Sequence, residues 1–370
     1  MTGYFDYAAA TPVDPGVFDA MRPFFTDNFY NPSAMTRRAG SVKEKIEAAR
    51  KEVAGILGVR AQEVIFTGGC TEANNLAIKG VMSLYPNGKV LVSAIEHDSV
   101  AEVAKECNHG FIPVDTNGRV DLLQLEKMLT DDVVLISVMY ANNEIGAVQP
   151  LREVGRLVED ARKKRGSKGL PLFLHTDAAQ ASNYLNLKVD SLKVDMMSLN
   201  GGKMYGPKGS GCLFVGRSVE LHPIFAGGGQ ERGLRSGTEN VPAIIGFASA
   251  LTRAQEMREI ESERLAELRS LLYEGLEAAG GVVNGGIKDR LVNNINVRFA
   301  GVDNERLVFQ LDELGYVVSS GSACHAKNSV ASQTLQAIGL TEKEADSSIR
   351  ISMGRGTTKE DVENIVKTIA

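Results

Sequence analysis

The sequence holds only four cysteines in 370 residues, Cys70, Cys107, Cys212 and Cys324, and no two form a C-x-x-C pair. That scarcity argues against a disulfide framework or a cysteine-ligated zinc site. The opening stretch MTGYFDYAAATPVDPG has no basic segment leading into an apolar one, so no secretory signal is legible. No run approaches the roughly 18 apolar residues that a membrane span needs. These absences make a reducing cytoplasm the expected compartment. Basic runs are equally short, the longest being RKKR at 162–165 in a chain of formal net charge -5. That cluster reads as a helix end, where cations suit the dipole, and nothing suggests a nucleic-acid footprint. Internal repeats and low-complexity linkers are also missing.

What is present has the composition of a globular protein, with 43% hydrophobic and 24% charged residues and 38 glycines. At this length one ordinary core is too small, so a large and a smaller domain are expected. The middle of the chain alternates apolar runs with helical patterns. EVIFTGG, KVLVSAIE, VVLISVMYA, LPLFLHTDAAQ, VDMMSLN and GCLFVG read as strands. Runs without polar alternation suit a sheet covered by helices on both faces, so the fold class is α/β with a mostly parallel sheet. After the long helical pattern PAIIGFASALTRAQEMREIESERLAELRSLLYEGLEAAGG come shorter strands, VNNINVRF, YVVSS and SSIRISMG, between helical stretches. The expected division is a large domain at 15–254 and a small α+β domain formed by 1–14 and 255–370.

One glycine-rich stretch, SLNGGKMYGPKGSGCLFV at 198–215, carries two lysines, Lys203 and Lys208. A phosphate-binding P-loop needs Gly, four residues, then Gly-Lys-Ser/Thr. The lysine position counted from Gly201 is Pro207, so that reading fails on spacing. A lysine leaving a buried strand onto such a turn can instead lose hydration, which lowers its pKa and frees a nucleophilic amine. The commonest protein use of that amine is to hold pyridoxal 5′-phosphate, whose ring nitrogen wants a carboxylate partner. Asp177, at the end of the preceding strand, is placed for that role. GGCT, with Cys70 and Thr71 before a helix, offers backbone N–H groups and a hydroxyl to a phosphate. His97 is a flat ring that also carries protons. Each residue has a plainer reading: Asp177 as a turn former, His97 as a helix start, Asn142 and Asn143 as turn caps, Arg350 as a surface ion pair. In a parallel sheet, however, the C-terminal strand ends share one edge, and there these groups converge.

FDYAAATPV, TGGCTEANNLAIKG, EHDSV, NNEIGAVQP, HTDAAQA, GGGQERGLRSGTENV and SSGSAC, in this order, resemble the cysteine desulfurases of the iron–sulfur-assembly type. These are pyridoxal-phosphate enzymes of aminotransferase-like fold in the class-V superfamily. The resemblance implies that Lys203 holds the cofactor's aldehyde and Asp177 its ring nitrogen. It gives Gln180 the phenolate oxygen, His97 the ring face, and Thr71, Cys70 and Asn200 the phosphate's surroundings. Thr238 would reach the phosphate of a neighbouring subunit, implying a homodimer. Asn143 and Arg350 would hold the carboxylate of the substrate, L-cysteine. Cys324, in a small-residue loop with His325 and Lys327 nearby, would accept sulfur as a persulfide, leaving L-alanine. A sulfur-acceptor protein, such as an iron–sulfur scaffold or a tRNA-thiolation carrier, would follow as partner. Lys208 is left a structural part.

Two positions depart from that family's pattern, which has serine three residues and histidine one residue before the lysine. Here they are Asn200 and Gly202. Asparagine still donates through its amide, whereas glycine offers no ring, so weaker cofactor retention is expected. The stretch HAKN after Cys324 also differs. Rival readings are another enzyme of this fold, an aminotransferase or a selenocysteine lyase, and a non-catalytic relative that binds a partner.

Overall fold

The apolar runs of the middle of the chain become one sheet in the computed structural model, which describes residues 3–321 and 332–370. Cys324, His325 and Lys327 lie outside the described residues. Seven strands, β1 (Val64–Thr67), β2 (Lys89–Ser93), β3 (His109–Ile112), β4 (Val133–Ser137), β5 (Phe173–Asp177), β6 (Met196–Asn200) and β7 (Gly211–Val215), pair in the order β1-β7-β6-β5-β4-β2-β3. Strands β2 to β6 pair in parallel, while β7 runs antiparallel to both β1 and β6. β3 had no counterpart among the strands expected from sequence. Its four residues, HGFI, contain a single buried side chain, Ile112, as befits an edge strand.

Both faces of the sheet are covered. On one, Val64, Phe66, Leu174 and Met197 meet the helices Arg37–Leu57, Leu151–Arg165 and Val241–Ala278 through Val53, Val154 and Phe247. On the other, Ile65, Val90, Leu135 and Leu213 meet the helices Cys70–Leu84 and Asp98–Lys105 through Leu76, Val81 and Val100. Val64 and Ile65 are adjacent yet serve opposite cores, which is the two-residue period of a strand. It also explains why these strands read as unbroken apolar runs.

A second, antiparallel sheet has the order β10-β9-β8, built from β8 (Val282–Val283), β9 (Asn294–Arg298) and β10 (Ser348–Ser352). Its core joins Ile295, Val297 and Ile351 to Leu268 and Leu272 of the long helix and to Phe5 of the N-terminal arm. The 38-residue helix Val241–Ala278 therefore serves both bodies, with Ala254 its last residue in the main core and Leu265 its first in the smaller one. We propose the division at 254/255 within that span. YVVSS, read as a strand from its sequence, forms only single bridges, Val317 to Tyr4 and Ser319 to Arg350. The arm and β10 each pair with it for one residue, so its burial does not become a ladder.

Candidate active site

The loops after β1, β2, β5 and β6 gather at one edge of the sheet. β1 runs into Gly68 and Gly69, and Gly69 takes φ +146°, a conformation that other residues rarely adopt. Opposite it, a Cβ on Gly211 would lie 2.8 Å from the Gly69 Cα, so the first residue of β7 must also be glycine. The helix Cys70–Leu84 starts one residue earlier than the sequence suggested. No side chain caps that helix, so its first N–H groups remain available to an anion. Gly68, Gly69, Cys70, Thr71, Asn200 and Lys203 border a cavity of about 900 Å³. Glu72 stands at its rim, accepting from the Gly68 N–H at 2.8 Å and held by Arg235 at 2.9 Å.

β6 ends in a single tight turn, Gly201–Lys203, closed by the Asn200 side chain accepting from the Gly202 N–H at 3.2 Å. The turn sends Lys203 inward. Its Nζ donates to the carbonyls of Ala8 (3.0 Å) and Ala9 (2.6 Å) of the N-terminal arm. Gln180 donates to the same Ala8 oxygen at 2.9 Å. Burial first, and the Arg350 charge second, hold the Lys203 ammonium below the ordinary lysine pKa, while Asp6, Cys70 and Asp177 pull the other way. Such an amine gives up its proton more readily than one in water.

Asp177 closes β5 and is buried. Its Oδ1 accepts from the Ala179 N–H at 2.9 Å and from the Cys70 thiol at 3.3 Å, and its Oδ2 from the Asn74 amide at 2.7 Å. Burial, then Asp177, raises the Cys70 thiol well above its usual pKa, so it acts as a donor and not as a thiolate. Cys107 and Cys212 are likewise raised by burial, in keeping with their reading as inert filler. His97 caps the helix Asp98–Lys105, with its Nδ1 accepting from the Ser99 N–H at 3.0 Å and lying 2.9 Å from the Ser99 hydroxyl.

Arg350, on β10, is almost fully buried and pairs with Asp6 of the arm at 2.6 Å, so the default of a surface ion pair does not hold. Its Nη1 donates to the Asn143 carbonyl at 3.3 Å, and its Nε has no hydrogen-bond partner among the described residues. The neighbouring Asn142 is the turn former, its Oδ1 accepting from the Glu144 and Ile145 N–H groups at 2.8 and 2.9 Å. Thr238 is exposed and does not line the cavity of its own chain. It follows Glu231, whose carboxylate grips Arg50 through two bonds of 2.6 and 2.7 Å. Lys208 lines the cavity and reaches the Thr11 carbonyl at 3.4 Å, tying the arm to the turn.

Sequence reasoning missed Asn74, Ser99, Asp6 and the arm carbonyls. Asn74 lay inside TGGCTEANN one helical turn beyond Cys70, a spacing that puts both on one face toward Asp177. Among the described residues no cluster of potential metal ligands occurs, and no helix is long and apolar enough to cross a membrane.

Residues 3–365 match the aminotransferase class-V family. The chain is 40% identical over 375 residues to cysteine desulfurase IscS 1 of Archaeoglobus fulgidus, covering 99% of this chain and 95% of that one. It is 40% identical over 368 residues to cysteine desulfurase IscS of Dictyoglomus turgidum, covering 97% and 91%. Among solved structures it resembles a NifS-like protein with a TM-score of 0.93 at 33% identity, covering 100% and 98%. It also resembles SspA in complex with cysteine, with a TM-score of 0.83 at 35% identity, covering 95% and 99%.

Proposed function

The chain belongs to the aminotransferase class-V family, and from that premise we infer that it is a cysteine desulfurase that uses pyridoxal 5′-phosphate. The observation that carries the reading is the desolvated amine of Lys203, turned from the end of β6 toward a cavity with an uncapped helix start. The residues present fit the cofactor. Lys203 would hold its aldehyde, Asp177 its ring nitrogen, Gln180 its phenolate oxygen and His97 its ring. Cys70, Thr71 and Asn200 would surround its phosphate.

When bound, the cofactor supplies an electron sink that makes the Cα–H of an amino acid acidic. The protein's own part begins with Arg350 and Asn143, which receive the carboxylate of L-cysteine. Lys203, once free, takes the Cα proton on Nζ, and its lowered pKa keeps a larger share in the basic form. Asp177 stays fixed by three donors throughout. The Cys324 thiolate attacks the sulfur of L-cysteine, an S–S bond forming as the Cβ–S bond breaks with its electron pair left on the carbon side; proton return then gives L-alanine, and a persulfide remains on Cys324.

The working unit of this proposal is a cytoplasmic homodimer in which Thr238 completes the neighbour's phosphate site, and a carrier protein collects the sulfur. Its exposed position on a loop anchored through Glu231 supports that role for Thr238. The unpaired Cys70, Cys107 and Cys212 suit a reducing compartment. The test combines spectroscopy with product analysis. Protein loaded with the cofactor should show a visible absorbance band that Lys203→Ala loses. Incubation with L-cysteine should give L-alanine and one added sulfur on Cys324 by mass spectrometry. Alanine formation that survives Cys324→Ala would refute the desulfurase reading in favour of another enzyme of this fold.

A further inference from the structure

One line of hydrogen bonds links Asp177 to His97 through two side chains that the reaction does not consume. Asn74 Nδ2 lies 2.7 Å from Asp177 Oδ2 and 2.9 Å from Ser99 Oγ, and Ser99 Oγ lies 2.9 Å from His97 Nδ1. We infer that Asn74 and Ser99 are positioning residues that fix His97 as the neutral tautomer protonated on Nε2. Its Nε2 then presents an N–H donor and no lone pair.

The direction of every bond follows from the first. A carboxylate only accepts, so the side of the Asn74 amide facing Asp177 must be its NH2 group. The second hydrogen of that group is spent on Ser99 Oγ, which therefore accepts. The Ser99 hydroxyl hydrogen is left to point at His97 Nδ1. The backbone N–H of Ser99 reaches the same nitrogen at 3.0 Å, and an N–H cannot accept. Two donors thus converge on Nδ1, which must keep its lone pair, and the ring proton resides on Nε2. Asn74 is fully buried and Ser99 nearly so, which shields the line from competing water. The charge of Asp177 thereby sets the face that His97 shows to its surroundings. The assignment of His97 to the cofactor ring rests on the desulfurase reading; its tautomer does not. Within that reading the proton acceptor is Lys203 alone, and His97 orients by donating.

The test is nitrogen-15 NMR of cofactor-loaded protein labelled at histidine, with the His97 signals identified by their loss in His97→Gln. Wild-type protein should show Nδ1 unprotonated and Nε2 protonated. Ser99→Ala removes one of the two donors, so the Nδ1 resonance should shift in the direction of a less hydrogen-bonded nitrogen. Ser99→Thr keeps a hydroxyl and should restore it, and Asn74→Leu should move it the same way as Ser99→Ala. In turnover, Ser99→Ala should lower kcat severalfold with KM for L-cysteine within about twofold. A proton on Nδ1 in the wild type, or an Nδ1 resonance indifferent to Ser99→Ala, overturns the inference. Failure of the desulfurase reading would show separately, as absent alanine production with the tautomer intact.

Discussion

Gly202 is one of the two positions at which the proposed phosphate site departs from the pattern of the family the sequence resembles, and replacing it by histidine should tighten cofactor retention. Gly202 is buried, lines the cavity and has no left-handed φ. A Cβ added there would meet Lys208 Cγ at 3.4 Å and Asn200 Oδ1 at 3.7 Å, both ordinary contacts. The backbone therefore accepts a side chain without strain. A hydrogen bond from imidazole to a charged phosphate is worth about 1.5–3 kcal/mol. Fixing the ring costs about 1 kcal/mol of rotamer freedom. The net gain of about 0.5–2 kcal/mol corresponds to about 2- to 30-fold in dissociation constant. The assay is equilibrium titration of apoprotein with pyridoxal 5′-phosphate, followed by the visible absorbance of Lys203 joined to the cofactor. Gly202→Ala serves as control, since it fills the space without a donor and should leave affinity unchanged. Equal affinity in Gly202→His and Gly202→Ala would refute the reasoning.

Two further predictions concern stability. His175 sits fully buried between the hydroxyls of Ser137 (2.8 Å) and Ser198 (2.9 Å), and burial pushes its pKa from 6.5 down to about 4. Its folded value is depressed, so the unfolded chain binds the extra proton first. Stability is full above pH 6.5 and falls by roughly 3–4 kcal/mol as the pH drops through 4, two and a half units at about 1.4 kcal/mol each. Urea unfolding across that range should show the decline and His175→Gln should flatten it; an equal decline in the variant would defeat the assignment. Glu231 and Arg50 form a buried pair 2.6 Å apart, with side chains only 3% and 5% exposed. Glu231→Gln leaves Arg50 only Glu47, at 3.1 Å, as a carboxylate partner and should cost up to about 3–5 kcal/mol by denaturant midpoint, whereas replacing both Arg50 and Glu231 with apolar residues should recover most of it. A loss under about 1 kcal/mol for the single change would show that the pair is solvated.

The parts of the fold legible in the sequence were those whose burial alone defines them. β1, β4 and β5 are buried at every residue, and an apolar run has no other explanation at that length. Burial carries no direction, which is why the antiparallel course of β7 could not be read from GCLFVG. The site followed the same division. Lys203, Asp177 and Thr71 could be proposed from the sequence because they end or follow strands, at the edge where a parallel sheet collects its loops. Asn74 and Ser99 lie within the first turns of two helices, where a polar residue has a sufficient local explanation. Their partnership exists only because those helices pack side by side on one face of the sheet.

The N-terminal arm was the least legible part, and it sets the electrostatics of the site. Asp6 and Arg350 are 344 residues apart, yet they form one buried pair beside Lys203. Arg350 lowers the proton affinity of the Lys203 amine and Asp6 raises it, so the arm partly offsets the arginine. In the proposed function, a substrate carboxylate docking on Arg350 would add a second negative charge to the same guanidinium. By the sign of that coupling, the proton affinity of Lys203 rises as the carboxylate arrives. Within the proposed function, the freed amine is therefore a stronger base with the substrate carboxylate on Arg350 than without it. On that reading the neighbouring ion pair lets the substrate's own charge make the change.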